Sequence, residues 1–142
     1  MNLNVHAIET SFDLVAPRGE ELMDEFYSRL FKRAPAVVAL FANVDLRRQK
    51  AMLLGTLGLL RRSLHSPERI IPRLQMLGAR HVGYGARPEH YPIVGETLIE
   101  AMRKVAGPAW SPEHETAWQQ MFAIVAAAML DGATKAELDA AA

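Results

Sequence analysis

The chain has 142 residues, half of them hydrophobic, with 16 basic and 16 acidic side chains that cancel to no formal net charge. That suits one domain around a single core, leaves no basic field to draw in nucleic acid or an anionic membrane, and, with no cysteine present, excludes disulfides, thiolate metal sites and cysteine nucleophiles. Met1 to His6 lacks a basic segment followed by an apolar run, so it does not read as a signal peptide, and no apolar stretch approaches the roughly 18 residues of a membrane span; the expectation is a soluble cytoplasmic protein.

Period-two alternation is absent and apolar residues recur at three and four, so the whole chain reads as helical. The first helix is expected over about Val5 to Val15, with Ile8, Phe12 and Val15 on one face. Pro17 suits the first turn of a second helix reaching about Lys32, whose inner stripe is Leu22, Phe26, Tyr27 and Leu30. Pro35 opens a short helix, Ala36 to Phe41, that delivers Phe41 to a corner. Asp45 is a fitting cap for a helix from about Leu46 to Leu64, on which Leu46, Gln49, Leu53 and Leu57 share a side. Gly55 and Gly58 read as places where another helix can come close, each at about 1 kcal/mol against alanine.

Ser66-Pro67-Glu68 begins a helix ending at His81, with Ile70, Ile71, Leu74 and Leu77 inward. A glycine-broken corner follows. The next helix, about Pro88 to Ala106, carries Tyr91, Val94, Leu98, Met102 and Val105, and Gly107-Pro108 stops it. Ser111-Pro112-Glu113 caps the last helix, with Trp118, Met121, Phe122, Val125 and Met129 as its stripe and Asp131-Gly132 as its end. Residues 1–132 thus form one domain of six main helices and one short one, and 133–142 form a tail that frays or adds a weak turn.

His81 sits in the last turn of its helix, ahead of the stripe of the next. The simple reading is a half-exposed cation favoured by the helix dipole; the sharper one is an axial ligand for haem iron, its other ring nitrogen bonded to a carbonyl in the preceding turn. Tyr27 and Gln49 lie on inner faces, where a polar group is costly unless paired. Singly, each is a residue at the edge of a stripe; together, a phenol and a carboxamide could donate to a ligand carrying partial negative charge. Phe41 is either core or a ring stacked on a flat cofactor, and Tyr91 either core or a partner on the His81 side. Arg80 is a solvated charge or, beside haem, a partner for a propionate. His6, His65, His90 and His114 lack a second ligand at metal spacing and read as surface residues. No phosphate-binding loop and no Gly-x-Ser-x-Gly elbow is present.

Three blocks, Glu25-Phe26-Tyr27-Ser28-Arg29-Leu30-Phe31 followed by Pro35 and Leu40-Phe41, then Leu77-Gly78-Ala79-Arg80-His81, then His90-Tyr91-Pro92-Ile93-Val94-Gly95, with Ala117-Trp118 beyond them, resemble the bacterial single-domain haemoglobins and the haem domain of flavohaemoglobins. The resemblance implies an all-α globin fold around one haem b. It makes His81 the iron ligand and Tyr27, Gln49 and Leu53 the distal gas pocket, with Gln49 also a candidate to cover or ligate the iron. Haem contacts are expected from Phe41, Leu53, Arg80 and Tyr84, and from Tyr91, Val94 and Leu98.

Flavohaemoglobins join the tyrosine equivalent to Tyr91 to a glutamate on the last helix. Here that region reads Met129-Leu130-Asp131-Gly132-Ala133, with Asp131 as an approximate stand-in. No flavin or nicotinamide domain follows the globin, so electrons are expected from a separate reductase. The implied function is reversible binding of dioxygen, with nitric oxide and carbon monoxide as further ligands, for storage, delivery or sensing. The alternative is a nitric oxide dioxygenase, in which Tyr27 and Gln49 would serve catalysis. The expected state is a monomer or homodimer.

Overall fold

The computed structural model describes residues 3–141. Met1 and Asn2 of the segment read for a leader, and Ala142 of the expected tail, lie outside the described residues. Within them every regular element is helical: α1 (Val5–Val15), α2 (Gly19–Arg33), the short α3 (Pro35–Val38), α4 (Leu46–Arg62), α5 (Pro67–Gly83), α6 (His90–Ala106) and α7 (Pro112–Ala141).

Side-chain caps fix several helix starts. Asn4 accepts the Ala7 N–H at 3.0 Å and Asp45 accepts that of Arg48 at 3.3 Å, each satisfying an orphan donor of a first turn. At the start of α7 the exchange is reciprocal: Ser111 Oγ accepts the His114 N–H at 3.2 Å, and His114 Nδ1 accepts the Ser111 N–H at 3.1 Å. Gly107, at φ +65°, ends α6 and returns its N–H to the Arg103 carbonyl. Two starts fall later than the pattern predicts. Ala16–Arg18 form a 3₁₀ turn before α2, and Pro88 and Glu89 form a turn before α6.

The larger difference is at α7, which runs through Asp131 and Gly132 to Ala141. Gly132 is not a terminator. It is buried against α5, where a Cβ would lie 1.9 Å from the Gln75 carbonyl oxygen. The close approach expected on α4 is also absent: a Cβ on Gly55 meets nothing within 4 Å, and one on Gly58 meets only the Arg62 guanidinium. Close packing falls on Gly78 and Gly132 instead.

The core is centred on Trp118, which is 0% exposed. Phe12 and Phe122 flank it, with ring centroids 6.4 and 5.2 Å away. Its indole N–H donates to Ser11 Oγ at 2.7 Å, and Ser11 Oγ donates to the Ala7 carbonyl at 2.5 Å. A buried indole and a buried hydroxyl thereby satisfy each other and tie α1 to α7. His114, expected at the surface, is half-buried at the same seam, its Nε2 3.2 Å from Thr10 Oγ1. On the other side Arg33 of α2 donates to Thr97 at 3.0 Å and to both Glu100 oxygens at 2.5 and 2.7 Å on α6, and this guanidinium holds the Glu100 carboxyl below its usual range.

Ser11→Ala leaves the buried indole N–H without its acceptor. We expect a loss of about 1–3 kcal/mol in unfolding free energy, read from urea denaturation, with helix content unchanged.

Candidate functional site

His81 stands in the last turn of α5, half-buried. Its Nδ1 lies 2.8 Å from the Leu77 carbonyl oxygen, one turn back. A carbonyl only accepts, so Nδ1 carries the proton and, in the neutral ring, Nε2 keeps its lone pair. Nε2 makes no hydrogen bond among the described residues. Tyr84 meets the imidazole edge-on at 5.7 Å and is itself 65% exposed. Arg80 is exposed and forms no ion pair among the described residues.

Tyr91, in the first turn of α6, is half-buried, and burial pushes its phenol pKa up. It borders a cavity of about 60 Å³ that is walled also by Val82, Ala86 and Pro88 and by Leu130, Ala133, Thr134 and Glu137 of α7. Asp131 is not in this wall. Its Oδ2 accepts from Gln75 Nε2 at 2.8 Å and lies 3.5 Å from Lys135 Nζ. A carboxylate that lines the same cavity as Tyr91 is Glu137, from the stretch expected to fray or add a weak turn. Sequence reading missed it because a helix ending at Gly132 has no face on which to place Glu137.

Tyr27 projects from α2 and is 3% exposed. Its ring lies among those of Phe26, Phe31 and Phe41 at 4.8, 5.9 and 5.8 Å, and Phe31 and Phe41 are 5.5 Å apart. Phe31, one turn after Tyr27, completes this cluster; the sequence block that contains it carries no role for it, although its spacing places it on the same face. The rings fix the phenol and leave the hydroxyl as its one polar end. Burial raises the Tyr27 pKa, and the side chain of Gln49 partly offsets the rise. No hydrogen bond of full geometry joins the pair, so Gln49 is a near polar neighbour of the hydroxyl. Gln49 is set by the Asp45 cap of α4, since its own N–H bonds the Asp45 carbonyl at 2.9 Å.

The two sides meet at a corner. Leu40, beside Phe41, reaches Gly85, where a Cβ would lie 3.1 Å from Leu40 Cδ2; Gly85 has φ +88°, which suits glycine. Phe41, Leu53, Leu77, Tyr91 and Val94 are each half-buried and packed on the core with some surface left open. Leu98, expected in the same set, is 3% exposed and belongs to the core. Of the other histidines, His90 accepts the Arg87 N–H at 3.1 Å and His65 lies 3.7 Å from Glu9. No cluster of three or more metal-ligating side chains occurs among the described residues, nor is any helix there long and apolar enough to cross a membrane.

The Globin family model matches residues 24–129, which take in Tyr27, Phe41, Gln49, His81 and Tyr91. The chain belongs to the globin family, and that membership supports haem and gas binding. Its relatives include the flavohemoprotein of Bacillus subtilis, 28% identical over 131 residues that make up 91% of this chain and 33% of the relative. The flavohemoprotein of Rhodopirellula baltica is 33% identical over 115 residues, 80% of this chain and 28% of the relative. The chain therefore spans about a third of the length of these curated relatives. Among solved structures, an engineered carbene transferase built on a candidate nitric oxide dioxygenase of Rhodothermus marinus superposes with a TM-score of 0.85 at 23% identity, covering 100% of this chain and 99% of that one. A bacterial globin of Campylobacter jejuni gives 0.79 at 24% identity, covering 92% and 94%. These two likenesses bear on fold alone, and the fold is the globin fold.

The chain has three tyrosines, and two of them, Tyr27 and Tyr91, hold their protons above the ordinary value of 10.0. A phenol whose folded pKa is raised stabilises the fold fully below the unfolded pKa, and that contribution is lost as pH rises through the folded one. Alkaline ultraviolet titration should show two tyrosines ionising late, and Tyr27→Phe should remove one of the late steps.

Proposed function

We propose that this globin holds haem b through His81 and binds dioxygen reversibly on the Tyr27 side. The observation that carries the reading is the His81 tautomer: with Nδ1–H committed to the Leu77 carbonyl at 2.8 Å, Nε2 is a bare imidazole nitrogen, the form that ligates a metal. Phe41, Leu53, Leu77, Tyr91 and Val94 are apolar or aromatic side chains with surface left open, the kind of lining a flat apolar group takes, and Arg80, free of an ion pair, suits a propionate. When bound, haem supplies the iron at which a diatomic gas is taken up and released.

The chain's own residues set the selectivity. Tyr27 is kept as a neutral phenol by burial, so it remains a donor across physiological pH. The ring cluster aims its hydroxyl, and Gln49 offers a second donor beside it. Both favour a ligand that carries negative charge, such as dioxygen, over one that does not, such as carbon monoxide. Leu53 and Phe41 keep water from the same space.

One observation favours an enzymatic reading as well. Glu137 lines the cavity that Tyr91 borders, which places a carboxylate near the Tyr91 phenol on the His81 side of the fold. In that reading nitric oxide and dioxygen, with one electron from a separate reductase, give nitrate. The cytoplasm is the proposed compartment for either role.

The purified protein, reduced and exposed to carbon monoxide, should give a haem carbonyl spectrum, and His81→Ala should lose its haem; an unchanged haem content would defeat the assignment. Tyr27→Phe should speed dioxygen release by about 1–3 kcal/mol, roughly 5- to 150-fold. Nitrate measured per haem with a reductase supplied separates the two roles: many turnovers mark the enzyme, and one stoichiometric burst marks the carrier.

A further inference from the structure

We infer that Gly78 and Gly132 fix the depth at which α5 presents His81, and so act as positioning residues for that histidine. The inference rests on the haem reading given above. A Cβ on Gly78 would lie 1.9 Å from the Met129 carbonyl oxygen and 2.6 Å from the Met129 Cα; a Cβ on Gly132 would lie 1.9 Å from the Gln75 carbonyl oxygen and 2.6 Å from the Gln75 Cα. Each helix thus lays a main-chain carbonyl into the notch left by the other's glycine. The obstacle on both sides is backbone, so no rotamer change relieves it. An alanine at either position must drive the helices apart.

The notch is close to the chemistry. Gly78 follows Leu77, whose carbonyl takes the Nδ1 proton of His81. Displacing the backbone at Gly78 therefore displaces both the ring and the acceptor that orients it. Upstream, Pro72 lies inside α5 and removes one rung of its ladder, which leaves the His81 half of the helix more dependent on α7. At the exposed edge of the crossing, Gln75 and Asp131 close a polar latch at 2.8 Å.

The test is the iron–histidine stretching band of the ferrous protein, read by resonance Raman, together with the rate of haem transfer to an apoglobin acceptor. Gly78→Ala and Gly132→Ala should both move the band and speed haem loss by about 10–100-fold, the usual effect of disturbing the partners of a metal-ligating histidine. Gly55→Ala, where a Cβ meets nothing within 4 Å, should leave both unchanged. Gln75→Ala removes only a surface latch, keeps the fold, and should shift the band less but in the same direction; it carries the test if the alanine-for-glycine variants do not fold. A band unmoved in every folded variant, or haem loss at the wild-type rate in Gly78→Ala, overturns the inference. A wild-type protein with no such band would instead defeat the haem reading itself.

Discussion

Two carbonyl oxygens, those of Met129 and Gln75, occupy the space a side chain would take on Gly78 and Gly132, and the wall that carries His81 is built on that fact. Packed helices ordinarily keep their axes about 8–10 Å apart because side chains intervene. Glycine at the crossing removes the spacer and lets main chain meet main chain, with room for weak Cα–H to carbonyl contacts. Each glycine costs its helix about 1 kcal/mol relative to alanine, so the crossing must return more than it takes. What it returns is register. α7 is itself anchored to α1 through Trp118 and Ser11, and α5 is thereby referred to the most buried point of the core.

Much of this architecture was legible in the chain. Caps at Asp45 and Ser111 and the stop at Gly107 are local signals, decided by residues within a turn of one another, and they place their helix ends where the structure has them. Tyr27 and Gln49 were legible as a pair because polar groups on apolar stripes need an account. The differences at glycine share one cause. Gly132 was read as a terminator, and Gly55 and Gly58 as contact points, because a helical glycine has the same local signature in either role. Which role it plays depends on whether another helix lies over it, and that partner is distant in sequence. The same reading bears on the acidic residues: with α7 taken to stop at Gly132, Asp131 is the last one on the helix, whereas the longer α7 also brings Glu137 to the cavity that Tyr91 borders.

The His81 side and the Tyr27 side are held by different means. On the His81 side the contact is backbone on backbone and has no soft degree of freedom. On the Tyr27 side the phenol is wedged among Phe26, Phe31 and Phe41, a cluster of edge-on rings that fixes direction without bonding the hydroxyl. Gln49 is held least. Nearby, α4 is tied to α2 by the Lys50–Asp24 pair at 2.9 Å, whose aspartate is 70% exposed, and exposed pairs of this kind contribute at most about 1 kcal/mol. Leu54 also packs against Gly19 of α2, a contact made by a flexible side chain, while the firmer anchors of α4, buried Leu57 and Leu60 and the Arg61 pairs to Glu9 and Asp13, lie toward its far end. Of these two polar side chains, Tyr27 is therefore locked among rings and Gln49 is not. The His81 ring and the Tyr27 phenol are thereby held in fixed relation to the core, and in the proposed reading Gln49 is the side chain left to adjust.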